Sequence, residues 1–288
     1  MGETSQLGAM VRAELTQAVQ PRVAAMAGAI AEQHPGTRAI LFYGSCLREE
    51  QLDGLMLDFY VIVADYGRAY SKRWMAVANR LIPPNVFPFA AGGLAAKYAV
   101  LSEADFHRLC GPETRNVSVW ARFAQPSRLV WSADAAAADH AIAAVSRAAP
   151  TLLAAAQSHD GEAPLDWWRR AFTLTYSVEL RAERGGRAAS VVDANLARYE
   201  AFSLPTIAAI PIGAAGGGWM RRRVEGKMLT VARLAKAAFT FSGGIDYLAW
   251  KINRHAGTQI VISDWQRRHP LLAAFTLVPR LIRQGAVK

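Results

Sequence analysis

The chain has 288 residues, 52% of them hydrophobic, with 33 Lys and Arg against 23 Asp and Glu. That length supports one large core or two modest ones, and 19% charged residues exclude a disordered tail protein. Cys46 and Cys110, far apart in sequence, exclude a disulfide scaffold and a cysteine-based zinc site and fit a reducing compartment.

In chain order, residues 6–34 read as an amphipathic helix, and the opening residues show no apolar stretch of a secretory signal. Residues 38–45 are an apolar strand ending in Gly44-Ser45. A polar stretch leads to a second buried strand over 55–64, and 70–81 has helical spacing. Pro83, Pro84 and Pro88 break the chain before a third strand at 94–101, with a fourth at 127–131. Beyond residue 133 the strand signals stop, and 135–156, 166–184, 191–202 and several stretches after Arg221 read as helices. The expected fold is therefore α+β: a mixed sheet with helices in a domain of residues 1–133, then an all-helical domain of residues 134–288.

The run 201–220 lacks charge, but Pro205, Pro211 and several glycines argue against a membrane span and for a mobile loop, with a membrane-dipping loop as the second reading. Trp167 and Trp168 suggest either an interfacial pair or a helix that packs one ring and exposes the other, and the six scattered histidines suggest mostly solvated surface. From Trp219 onward there are 13 basic residues and three acidic ones, so this last quarter carries the whole formal charge of +10. Such a one-sided segment points to a polyanion, either nucleic acid or an anionic membrane. Residues 264–288 place Leu271, Leu272, Phe275, Val278 and Ile282 at helical spacing between arginines, the pattern of an interfacial helix.

The chemistry concentrates at Phe42-Tyr-Gly-Ser45 and Met56-Leu-Asp-Phe-Tyr60. A strand that ends in Gly-Ser and turns offers backbone N–H groups and a hydroxyl to a phosphate. Asp58 lies inside an apolar strand, where a carboxylate needs a partner to offset desolvation, and a divalent metal is one such partner. The twelve intervening residues resemble the spacing of the DNA polymerase beta-like nucleotidyltransferase superfamily. That superfamily's second acid is missing here, because Met56 and Tyr60 flank Asp58. Asp53, Asp65, Glu179 and Glu183 are the candidates to replace it.

Within that superfamily, Tyr43-Gly-Ser45 and Met56-Leu-Asp-Phe59 resemble the mitochondrial-type phosphatidate cytidylyltransferase (CDP-diacylglycerol synthase) family. Lys97-Tyr98 in its strand, Trp120-Ala-Arg122 with Pro126, Tyr176-Ser-Val-Glu-Leu-Arg181, and the basic and aromatic series Arg233, Lys236, Phe239, Tyr247 and Lys251 are similar to that family's motifs in order. The matches run from about residue 38 to 254, with the family's glycines replaced at Ala121 and Val178.

The resemblance implies transfer of CMP from CTP to a lipid phosphate, phosphatidate by default, with release of pyrophosphate. It implies Mg²⁺ held by Asp58 and Glu179, and Gly44 and Ser45 cradling the leaving pyrophosphate. Lys97 would place its charge on the triphosphate, and Arg122 and Arg181 would make bidentate phosphate contacts. The implied setting is cytoplasmic, peripheral on the inner face of a membrane, with anionic lipid as partner and no specific nucleic acid; self-association is left open. Two alternatives remain: a nucleotidyltransferase with a non-lipid acceptor, and a degenerate, non-catalytic module that binds nucleic acid or membrane.

Overall fold

The computed structural model describes residues 5–178, 191–214, 216–240 and 263–265. The N-terminal helical signal is two helices, α1 (Gln6–Leu15) and α2 (Pro21–Ala31). The break is local: Pro21 opens α2 at its first turn, where its missing N–H costs nothing. Ser5 caps α1 by accepting from the Gly8 amide at 3.2 Å.

A five-stranded mixed sheet follows, built from β1 (Thr37–Tyr43), β2 (Met56–Val63), β3 (Asn85–Ala91), β4 (Leu94–Ser102) and β5 (Ser127–Ser132), in the order β3-β4-β2-β1-β5. Among these described strands, only β2 and β4 pair in parallel. Strand β3 corrects the expectation that the prolines simply interrupt the chain. Pro88 lies within β3, and an edge strand paired only with β4 tolerates the missing donor. The short α3 (Tyr66–Ala69) and α4 (Arg73–Leu81) connect β2 to β3.

Side chains alternate between the two faces of the sheet, and each face carries its own core. Ile40, Phe42, Leu57, Phe59, Val61 and Val100 pack with Val23, Met26 and Ile30 of α2. On the opposite face Leu41, Tyr43, Tyr60, Ile62 and Leu101 pack with α1, α5 (Glu103–Cys110), α6 (Trp120–Phe123) and the later helices. Central β2, MLDFYVIV, is covered on both faces, hence its almost continuous apolar character, interrupted by Asp58.

The later helices are α7 (Ala135–Ser146), α8 (Ala148–Ala156), α9 (Pro164–Tyr176), α10 (Leu196–Ala208) and α11 (Trp219–Thr240). Residue 133 falls between β5 and α7, and helices beyond it share one apolar cluster with α1 and the sheet. The uncharged run is half helix: α10 continues through Pro205 to Ala208 before the turn that precedes α11. Both tryptophans of α9 turn inward, Trp168 donating from Nε1 to Ser203 Oγ at 3.2 Å. Among the described residues, no helix is long and apolar enough to cross a membrane. The expected interfacial helix at 264–288 lies, apart from Asp264 and Trp265, outside the described residues.

His34 departs from the expectation of a solvated histidine. It is buried, with Nδ1 2.9 Å from the Ala69 carbonyl and Nε2 3.1 Å from the Tyr98 hydroxyl. A carbonyl only accepts, so Nδ1 carries the proton and Nε2 accepts from Tyr98. Burial holds its pKa below the ordinary 6.5, outweighing the opposite pull of the Ala69 carbonyl. The unfolded chain therefore takes up this proton at higher pH than the folded one, and stability falls as pH drops below about 6.5. Melting temperatures taken from neutral pH down to about pH 5 should decline less steeply in His34→Gln than in the native protein; parallel curves would show that His34 does not carry the effect.

Candidate functional site

The strand registers bring the site together. Asp58 of β2 stands opposite Lys97 of β4 and Tyr43 of β1, so the three share one row on the α6 side of the sheet. Lys97 Nζ lies 3.0 Å from Asp58 Oδ1, with 28% and 25% of the two side chains exposed. Oδ1 itself is buried, and this approach is an ion pair without the alignment of a hydrogen bond.

Tyr43 ends β1, and Gly44 turns the chain with φ of +95° into a 3₁₀ turn, Ser45–Arg48. A Cβ at Gly44 would meet Asp58 Oδ2 at 3.4 Å while forcing an L residue into the left-handed region, so glycine serves both the turn and the close approach to the carboxylate. Ser45 is exposed on the turn, outside the cleft wall. Cys46 beside it is buried, with Sγ 3.5 Å from the Met56 carbonyl. Burial first, and the Asp58 charge second, push its thiol pKa up, which makes it a poor nucleophile.

Asp58 and Lys97 open into a cleft of about 240 Å³ whose wall includes Tyr43, Tyr60, Arg122, Arg233 and Lys236. Arg122 of α6 lies 4.9 Å above the Tyr43 ring and donates to the Tyr60 hydroxyl at 3.3 Å. Arg233 and Lys236 reach the cleft from α11, one helical turn apart. Arg233 donates to the Pro83 carbonyl at 2.8 Å and to Ser118 Oγ at 3.0 Å. Lys236 donates to the carbonyls of Ile82 and, at 2.7 Å, Pro84. Burial, then the Arg233 charge, lower the Lys236 pKa to about 7.

Four basic side chains thus face one carboxylate among the described residues of this wall, the electrostatics of a site for a multiply charged anion. Of the residues singled out from sequence, Asp58, Lys97, Arg122, Arg233 and Lys236 line one cleft, and the Gly44 turn lies beside Asp58. Glu179, Arg181 and Glu183 lie outside the described residues. Two other candidate carboxylates are engaged elsewhere: Asp53 pairs with Arg22 at 2.9 Å, and Asp65 caps α3 by accepting from the Arg68 amide at 3.1 Å. No cluster of three potential metal ligands occurs among the described residues. Arg233 and Lys236 were legible only as members of a basic helical series; their three-residue spacing on one helix face was the available sign that they act together.

A second cavity, of about 510 Å³, opens where β2 and β4 begin. Met56 and Ala95, paired across those strands two residues before Asp58 and Lys97, lie in its wall with Ala90 and Leu94, and no titratable side chain joins them. No model of a known protein family matches the chain, and no curated protein shows significant sequence similarity to it.

Proposed function

We propose that the chain is a cytidylyltransferase that moves CMP from CTP to a lipid phosphate, phosphatidate by default, working at the cytoplasmic face of a membrane. The observation that carries this is the Asp58–Lys97 pair beside the Gly44 turn, in a cleft whose other charged side chains are cations. The apolar cavity two residues up the same strands supports a lipid acceptor over a soluble one, because it offers acyl chains a wall beside the phosphate site.

In this reaction an oxygen of the acceptor phosphate bonds to the α-phosphorus of CTP and the bond to the β-phosphate oxygen breaks, releasing pyrophosphate. A phosphate monoester has a second pKa of about 6, so it is already ionised at neutral pH and needs no strong general base. The chain's task is alignment and charge neutralisation. Lys97 and Arg122 hold the triphosphate against the sheet, with the Arg122 plane fixed by Tyr43 and Tyr60. Arg233 and Lys236, fixed by the 82–84 carbonyls, hold charge at the opposite wall.

The donor set fits a divalent cation in part: Asp58 offers a buried oxygen without an aligned hydrogen bond and a second oxygen facing the open side of Gly44. Asp58, with Glu179 as the proposed second ligand, would hold Mg²⁺, which would supply charge neutralisation on the triphosphate. Asp58, the one carboxylate among the described residues of this cleft, also favours a second reading, a degenerate non-catalytic binding module, which turnover separates from the first.

Calorimetric titration with CTP tests the cleft. Lys97→Ala should weaken binding about tenfold or more, the scale of a charged hydrogen bond. Lys236 loses its charge as pH rises through about 7, so its contribution to CTP affinity should fade between about pH 6 and 8. Lys236→Arg should retain that contribution. Unchanged affinity in Lys97→Ala, together with identical pH profiles for native protein and Lys236→Arg, would remove CTP from this cleft.

A further inference from the structure

The outward side of α11 carries a row of large apolar residues that the fold leaves in solvent. Met220, Val224, Met228 and Val231 are 73%, 54%, 69% and 57% exposed. At 100° per residue they fall within a sector of about 80°, and they extend over about 16 Å of helix. The reverse side anchors the helix: Trp219 donates to the Ala155 carbonyl at 3.2 Å, Arg222 to the Arg115 carbonyl at 3.0 Å, and Gly226 packs on Val178. The row is therefore held outward, and none of these anchors depends on it. Scattered exposed apolar residues are ordinary on protein surfaces; four aligned on one fixed helix are not.

The charges beside the row select its occupant. Arg221 and Lys227 flank it and are exposed, and α11 carries six basic residues against Glu225 alone. Glu225 is already engaged, 2.7 Å from Arg221 and 3.6 Å from Arg115. A second copy docked through the same row would set basic flank against basic flank, which like-charge repulsion opposes. An anionic lipid surface satisfies both features, taking the apolar row at the acyl boundary and the flanking cations at the headgroups.

We propose that the Met220–Val231 face of α11 lies flat on an anionic membrane. The choice of lipid as occupant rests on the lipid-phosphate reading above. The same helix sends Arg233 and Lys236 into the cleft from its other side, so docking through this face would hold the cleft at a fixed height above the bilayer.

The test is sedimentation of the full chain with vesicles of phosphatidylcholine doped with phosphatidylglycerol, and with pure phosphatidylcholine vesicles, without CTP or Mg²⁺. The native protein should sediment with the doped vesicles only. Val224→Glu with Met228→Glu should bind them at least about tenfold more weakly. Both sites are exposed, so circular dichroism, melting temperature and CTP affinity should stay native, and Val224→Leu with Met228→Leu should still bind. A double-glutamate variant that sediments like the native protein would overturn the proposal. So would a native dimer, seen by analytical ultracentrifugation, that the glutamates dissociate while vesicle binding persists. Vesicle binding lost in the variant, by a native protein that takes up no CTP, would uphold the surface and refute the cytidylyl reading.

Discussion

Asp58→Asn should lower turnover of CTP by two to three orders of magnitude, roughly the effect of removing one preorganised charged group from a transition state. The asparagine keeps the shape of the side chain and its place opposite Lys97 and Tyr43. It removes the negative charge that pairs with Lys97 at 3.0 Å and that would bind the proposed cation. Folding should suffer little, because a partly exposed ion pair contributes about 1 kcal/mol or less. Steady-state rates with Mg²⁺, alongside a melting curve, check both halves. Near-native turnover in the asparagine variant would show that Asp58 holds no metal.

The largest effect on stability should come from Arg198→Ala. Arg198 of α10 pairs with Glu14 of α1 through two nitrogens, one of them at 3.0 Å, and donates to the Ala124 carbonyl at 3.1 Å. Only 13% and 12% of the two side chains are exposed, and the guanidinium lies 4.3 Å over the Phe202 ring. Deleting one partner strands the other charge in a poorly solvated place, which costs about 3–5 kcal/mol, a fall of roughly 10 °C in melting temperature. Arg198→Met with Glu14→Leu removes both charges and should recover much of that loss. A melting temperature within a degree or two of native for Arg198→Ala would mean that water reaches Glu14.

The sheet was legible where burial dominates. Residues 38–45 and 55–64 are apolar because their strands sit between two layers, and that requirement shows directly in composition. Strand β3 was not legible, since Pro83, Pro84 and Pro88 signal a break and only an edge position makes Pro88 tolerable within it. The division of 6–34 into two helices turned on Pro21, equally a start signal and an interior breaker.

The site followed the same logic. Asp58 announced itself as a charge in an apolar strand, and Gly44 as a glycine before a turn. Lys97 was a plain alternating lysine until the parallel register set it opposite Asp58. Arg233 and Lys236 lie more than a hundred residues from the other wall of the cleft. Only the packing of α11 against the 82–84 segment makes them neighbours of Arg122 and Lys97, and no local pattern encodes that contact. His34 and Glu14 failed to stand out because a buried polar side chain depends on partners distant in sequence.

In the proposed reaction this cleft joins CMP to a lipid phosphate. Its most direct test is incubation of the native chain with CTP labelled at the α-phosphate, Mg²⁺ and vesicles containing one of a panel of lipid phosphates, followed by organic extraction. Label should appear in the lipid phase with at least one member of the panel, phosphatidate first, matched by released pyrophosphate and absent with Asp58→Asn. Label that stays wholly in the aqueous phase with every lipid phosphate, from a protein that binds CTP, would contradict it.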